Sequence, residues 1–369
     1  MPEINHKPLL GLDASELTAL AEGFQQPSYR GKQLFEAIYR KRIESLDEIS
    51  TLPIEFRKEL SGQGYSIRSE EVAGKFKSSD GTARYLIRFP DGQTVETVWM
   101  PEGDDGEAGD GSDADIVESA RNFGRATICV SSQVGCAVDC RFCLTGLLGV
   151  KRNLTAGEIA GQVMAVLRDQ QVSPPHDRIN LVFMGMGEPF LNYDSFIKAA
   201  RLLVEGVGIP QSRMTVSTAG IVPRIGDFGE EEIRPKLAIS LNASNDEMRT
   251  RLMPINRKWD MGQLLEAAKN FPLRNREKVT FEYVLLSEVN DAPEHARELA
   301  EKVRGIRAKV NLIAWNPGPG IEFSTPQAER VLRFQRILID SGTPTFIRRP
   351  RGRDIYAACG QLKQTMEAA

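Results

Sequence analysis

Histidine is nearly missing from this sequence. The 369 residues include only His6, His176 and His295, so metal sites rich in imidazole and triads built on a histidine base have little to draw on. No apolar run approaches the ~18 residues of a membrane-spanning helix. Met1–His6 shows no basic-then-apolar leader, and the expected location is the cytoplasm. Cysteine is scarce as well: Cys129, Cys136, Cys140, Cys143 and Cys359 are the full set, four of them within fifteen residues. In a chain 41% hydrophobic, long enough for two or three domain-sized units, a core forms without disulfide staples. The clustering therefore reads as metal binding or redox chemistry, not as a disulfide framework. Excess positive charge is also lacking. The net charge of −3 first argues against a nucleic-acid partner, but residues 101–119 hold eight acidic residues and no Lys or Arg. The rest of the chain is mildly basic, so net charge excludes little.

Along the chain, residues 1–62 read as a small helical accessory domain. Its Gly31–Arg42 stretch places Leu34, Phe35, Ile38 and Tyr39 on one face at helical spacing. The surrounding Arg30, Lys32, Arg40, Lys41 and Arg42 form either a solvated rim or a contact to RNA phosphates. Residues 63–121 read as a β-rich linker, with hairpin turns at Asp80-Gly81 and Asp91-Gly92. Its acidic 101–119 portion has too little apolar content to pack and is expected to be a flexible surface loop. From 122 to 369 strands and helices alternate. Strands are expected at Ala126–Ser132, Ile179–Met184, Met214–Thr218, Lys236–Leu241, Val279–Leu286, Val310–Trp315 and Pro344–Arg348. Helices are expected at Thr155–Gln170, Tyr193–Glu205, Met261–Asn270, Pro293–Val303 and Pro326–Ser341, the first opened by a Thr155/Glu158 capping box. That alternation predicts an α/β fold, a partial (β/α) barrel of the TIM type, with its chemistry at the C-terminal strand ends.

The cysteine cluster falls where the first βα loop of that barrel belongs. Cys136, Cys140 and Cys143 form a C-x3-C-x2-C run, and thiolates so spaced on one loop reach three corners of a cubane cluster, leaving the fourth iron for a small molecule. A zinc site is the alternative, but it wants a fourth ligand. Only Cys129, on a strand seven residues upstream, is near in sequence. Phe142 either packs in the core or shields the cluster. Polar residues recur at later strand ends: Gly187 and Glu188 in Met184-Gly-Met-Gly-Glu-Pro189, then Ser217, Ser240-Leu241-Asn242, and Asn316. Singly each reads as a loop cap; together they outline a pocket for a polar nucleoside, with glycines that let backbone approach a ligand and Glu188 placed to accept from an ammonium group.

The C-x3-C-x2-C spacing resembles the radical S-adenosylmethionine (SAM) superfamily. The resemblance implies a [4Fe-4S] cluster on Cys136, Cys140 and Cys143, with SAM chelated to its open iron and cleaved to a 5′-deoxyadenosyl radical. Further segments, Val95-Glu96-Thr97-Val98, Arg125–Cys136, Gly187-Glu188-Pro189 and Arg351–Leu362, resemble the RlmN/Cfr family of radical SAM RNA adenine methyltransferases over nearly the whole chain. That likeness implies methylation of adenine C2 at adenosine 2503 of 23S rRNA and adenosine 37 of tRNA, using two SAM molecules per turnover. It makes Cys359 a methyl carrier, Glu96 the general base and Cys129 the thiol that resolves a covalent protein–RNA adduct through a transient Cys129–Cys359 disulfide. It makes Gly187, Glu188, Ser217, Ser240, Leu241, Asn242 and Asn316 the SAM contacts, and implies a flavodoxin-type electron donor and a monomer. The physical logic agrees: adenine C2 is electron-poor and without a lone pair, so it yields to a carbon radical and not to a methyl cation, and thiolate release follows thiol–disulfide exchange. Read without the likeness, Cys129 on its apolar strand is an inert buried thiol. The C8 methyltransferases of the same family share these cysteines and are the alternative. Two departures stand out: the family commonly has histidine where Asn242 stands, and the acidic stretch is longer than usual, so it is expected away from the RNA face. The run Arg348–Arg353 reads as a phosphate contact or as salt bridging within the fold.

Overall fold

The computed structural model describes residues 7–68, 70–101 and 124–363. Apart from Pro101, the acidic 101–119 stretch lies outside them.

Near the N-terminus, β1 (Lys7–Pro8) pairs in parallel with β2 (Tyr65–Ser66), and three helices lie between them: α1 (Ala14–Gly23), α2 (Tyr29–Phe35) and α3 (Ile54–Gly62). Asp13 caps α1, accepting from Ser15 N and Glu16 N while Glu16 reaches back to the Asp13 amide. The predicted Gly31–Arg42 helix is present, but it widens into a π turn over Glu36–Arg40. Leu34, Ile38 and Tyr39 are buried, and the Tyr39 hydroxyl accepts from Gly11 N and donates to Leu12 O. Much of the basic rim is used internally: Arg30 donates to Gln33 and to Thr51 O, Arg42 to Val172 O, and Lys41 pairs with Glu36.

One ten-stranded sheet organises the rest. The antiparallel meander β3 (Glu71–Lys77), β4 (Ala83–Arg88) and β5 (Thr94–Pro101) pairs with β6 (Ala126–Cys129). A small hairpin, β7 (Gln133–Gly135) with β8 (Val150–Asn153), stands apart. The main sheet continues through β9 (Ile179–Phe183), β10 (Met214–Thr218), β11 (Lys236–Ser240), β12 (Val279–Leu285), β13 (Ala308–Ala314) and β14 (Thr345–Arg348). From β6 to β14 neighbouring strands are parallel and in chain order, which is what repeated βα units produce. All seven expected strands are there.

Helices connect these strands: after the short α4 (Leu144–Leu147) come α5 (Ala156–Asp169), α6 (Tyr193–Leu202), α7 (Val222–Gly229), α8 (Asp246–Leu252), α9 (Met261–Asn270), α10 (Pro293–Val303) and α11 (Ala328–Asp340). The Thr155/Glu158 capping box forms as expected. Three of these helices escaped the sequence reading: the single turn α4, α7 and α8. α7 contains a proline and two glycines, and α8 is a seven-residue charged turn held by Asn245, whose side chain accepts from Met248 N; neither carries an apolar period long enough to register.

Among the described residues the sheet's edges, β14 and β3, do not pair with each other. The chain after β14 crosses that open side instead. Gly352 N donates to Asp80, Ser78 donates to Asp354, and Lys363 N donates to Glu96. No described helix is long and apolar enough to cross a membrane.

Candidate active site

The thiol loop is built by a hairpin. β6 leads through Val130–Ser132 into β7, which ends at Gly135 with φ +79°; an added Cβ there would run into the Gly149 carbonyl. The loop that follows is stitched by its own backbone: Cys140 N donates to Val138 O, and Cys143 N to Cys140 O, both at 3.1 Å. Arg141 N reaches Leu252 O at 2.9 Å, and Val138 N donates to the Cys136 sulfur at 3.4 Å. All three thiols are half-buried and line one cavity at the C-terminal end of the barrel. Burial pushes the Cys136 thiol up to about 12 and Cys140 well above the ordinary range, each raised further by the neighbouring thiols. Phe142 serves both of its proposed purposes, buried in the core and forming part of the cavity wall.

The opposite wall follows β9. Gly185 and Gly187 line the cavity, but the close approach that needs them is within the chain: a Cβ would strike Ser131 and Val130 at one and Gln133 at the other. Gly187 also takes φ +100°. Glu188 is buried, its carboxylate accepting from Phe190 N at 3.0 Å and Ala219 N at 2.6 Å. Burial nevertheless lifts it to about 7, against the pull of those hydrogen bonds. Ser217 and Ser240 meet at 3.2 Å between their hydroxyls and both face the cavity.

Asn242 faces the cavity too, but its amide is committed: Oδ1 accepts from Val284 N at 2.8 Å, and Nδ2 points to the Met253 sulfur. Its φ of +56° suits asparagine. Leu241 is fully buried behind the wall. Asn316 is also set back, its Nδ2 donating to the Cys359 carbonyl at 3.3 Å, while its buried Oδ1 has no partner.

Cys359 arrives from the far end of the chain. Leu144 N donates to Gly360 O, Thr145 to Leu362 O and Gln361 to Pro317 O, and these bonds set the Cys359 side chain against the cavity, open to it although deep in the molecule. Its surroundings raise the thiol, and the Arg348 guanidinium opposes the rise. Cys129, ending β6, does not line the cavity; burial pushes its thiol up to about 12, with Cys359 near enough to add to the shift. The Cys129–Cys359 disulfide is not formed: all five cysteines are free. Glu96, expected to act as a base, is sealed away. It is fully buried, ion-paired with the equally buried Arg84, and accepts from Lys363 N at 2.9 Å.

With this geometry established, likeness to known proteins is informative. Residues 130–300 match the Radical SAM superfamily. The chain is 64% identical over 344 residues to a probable dual-specificity RNA methyltransferase RlmN of Koribacter versatilis, covering 93% of this chain and 98% of the relative. It is 42% identical to the dual-specificity RNA methyltransferase RlmN of Syntrophobacter fumaroxidans, covering 94% and 95%. The chain belongs to the RlmN family of dual-specificity RNA methyltransferases. A solved radical SAM methyltransferase from Sphaerobacter thermophilus superposes with a TM-score of 0.86 at 39% identity, covering 97% of this chain and 99% of that one.

As a member of the RlmN family the protein is a radical SAM enzyme, and its cofactors are SAM and a [4Fe-4S] cluster. The donor set fits: three thiols on one loop open into a single cavity.

Residues that escaped the sequence reading complete the RlmN-type site. Arg249 is fully buried and donates to Leu241 O, Ala219 O, Ser240 O and Asn256, tying two strand ends together beside Cys140. Arg348, in a run that the sequence left as either a phosphate contact or salt bridging within the fold, lines the cavity and pairs with Glu282 at 3.6 Å, the second of those two. A lone arginine or glutamate inside a helix or strand carries no sequence signal of such a role.

Proposed function

We propose that this enzyme methylates C2 of adenine, at adenosine 2503 in 23S rRNA and adenosine 37 in tRNA, through a methylated Cys359. The observation that carries the reading is the delivery of Cys359 into the cavity lined by Cys136, Cys140 and Cys143. When bound, the cluster and SAM supply the electron, the methyl group and the hydrogen-abstracting radical.

The chain's own residues do the rest. Cys136, Cys140 and Cys143 hold the cluster; Glu188, Ser217, Ser240 and the backbone at Gly187 and Asn242 bind SAM, while Leu241 and Asn316 support that wall from behind. Cys359 takes the methyl group as a thiolate, which the guanidinium of Arg348 favours against burial, and then presents it to C2. Glu96 removes the C2 proton. Because Lys363 N now occupies its carboxylate, the C-terminal segment has to lift for that step. Release then follows from attack of the Cys129 thiolate on the Cys359 sulfur, which breaks its bond to the transferred carbon, leaves that carbon to take a proton as the new methyl group and leaves a disulfide behind.

The free thiols suit a reducing, cytoplasmic setting with a flavodoxin-type electron donor, and the chain acts as a monomer. The exposed Lys32 and Arg40 support an RNA-contacting role for the accessory domain of residues 1–62, with 63–121 as linker and 122–369 as barrel. Anaerobic assay with labelled SAM on rRNA and tRNA fragments, followed by nucleoside identification, tests the reading. It is expected to yield 2-methyladenosine. Formation of 8-methyladenosine alone would reassign the enzyme to C8 chemistry, and full turnover by Cys359→Ala would remove the carrier.

A further inference from the structure

Adenine C2 shares an edge of the base with N1 and the 6-amino group, so an enzyme aiming C2 at one sulfur has neighbouring atoms to read. Glu282 stands where they would be read. It lies in β12 opposite Ser240, lines the cavity with Cys359 and is only 5% exposed. Its Oε1 accepts from Asn311 Nδ2 at 3.0 Å and pairs with Arg348 at 3.6 Å. Its Oε2 is buried without any hydrogen-bond partner. A carboxylate oxygen left bare in an enclosed pocket is costly unless a ligand brings it a donor.

Resting on the adenine-methylation reading above, we propose that Glu282 determines base specificity, its Oε2 accepting from the 6-amino group of the target adenine while Arg348 donates to N1. With those two atoms held, C2 is the next position along the edge, beside Cys359. The pairing rejects guanine, whose edge presents an acceptor at position 6 to the carboxylate and a donor at N1 to the guanidinium. It also explains recognition in two different RNAs, since the base edge is what they share. The guanidinium at N1 further withdraws electron density from the ring at C2, the direction a nucleophilic carbon radical needs.

The test uses the full-length, cluster-reconstituted enzyme and two RNA hairpins, one with adenosine at the target position and one with purine ribonucleoside, which carries hydrogen in place of the 6-amino group. Kd for each hairpin is measured by fluorescence anisotropy, alongside kcat/KM, and SAM affinity is measured separately. Wild type is expected to favour adenosine roughly 10- to 100-fold, the usual worth of a hydrogen bond to a charged group. Glu282→Ala is expected to bring that ratio near one, chiefly by losing the adenosine hairpin. Should Glu282→Ala fail to fold or to hold iron, Glu282→Gln, which keeps the shape, is expected to narrow the ratio several-fold. A ratio unchanged in a folded variant overturns the proposal. So does weaker SAM binding with an unchanged ratio, which would assign Oε2 to the hydroxyls of SAM. If wild type forms no 2-methyladenosine at all, the functional reading falls instead, and the Kd ratios still decide the role of Glu282.

Discussion

The loop carrying Cys136, Cys140 and Cys143 and the segment carrying Cys359 meet in one cavity, yet they are held there by different means. The loop is fixed by its own backbone hydrogen bonds, by the hairpin of β7 and β8 and by a glycine whose φ and crowding admit no other residue. The segment is fixed by single bonds to distant parts of the chain: Asp80, Ser78, Glu96, Thr145 and Asn316. A frame for a metal cluster must hold three sulfurs at set spacings. A segment proposed to hand a one-carbon unit to an RNA base must be able to let go. The lesson is that the loop is held mainly by bonds local in sequence and the Cys359 segment by long-range ones.

The sharpest way to break this comparison is to remove a thiol from each side. Cys140→Ala should abolish turnover and lose most of the iron, whereas Cys359→Ala should lower methylation by at least roughly 1000-fold while iron and sulfide content stay at the wild-type level. Equal loss of iron in both would end the distinction. Cys129→Ala separates methyl transfer from release: a protein–RNA adduct should accumulate, seen as a band of reduced mobility on a denaturing gel. Its absence during normal turnover would return Cys129 to the role of an inert core thiol.

Glu188 sharpens the comparison on the cluster side. Burial lifts its carboxyl from 4.5 to about 7, so the folded protein holds a proton there that the unfolded chain has released. Without SAM, stability should therefore fall as pH rises from about 4.5 to 7, by about 3 kcal/mol from this group, and level off above 7. Urea midpoints of Glu188→Gln should lack this slope; matching slopes in the two proteins would contradict it. The smallest effects come from two glycines. Gly135→Ala, which meets backbone at positive φ, should cost about 2–3 kcal/mol and weaken cluster retention. Gly352→Ala, at φ +60° with Ala357 Cβ at 2.8 Å and Thr82 Cγ2 at 2.9 Å from the added methyl, should cost about 1–2 kcal/mol and leave iron content alone. Thermal unfolding with iron analysis distinguishes them.

Much of this was legible before any coordinates. The seven parallel strands and the Thr155 capping box follow from periodicity and end signals, and the thiol spacing announces its chemistry because all three ligands lie within eight residues. Less was legible where structure overrules local pattern. The glycines of the Gly185–Gly187 turn were read as room for a ligand, but they make room for Ser131 and Gln133. Asn242 was read as a SAM contact, and its side-chain amide is spent clipping the end of β11 to β12. Glu96 was read as an available base and is locked against Arg84 and Lys363.

The amino-acid sequence alone determined the barrel and the cluster-type spacing of three thiols, because these depend on short windows, while the candidacy of Cys359 rested on the family likeness of Arg351–Leu362. Only the tertiary structure decided that Cys359 reaches the cluster cavity, that Arg348 turns inward to Glu282 and that Glu96 is shielded. Apart from the Arg84–Glu96 pair, each of those facts joins residues separated by some 65 to more than 250 positions, and such pairings are set by how distant strands and the C-terminal segment come together, which no local pattern encodes.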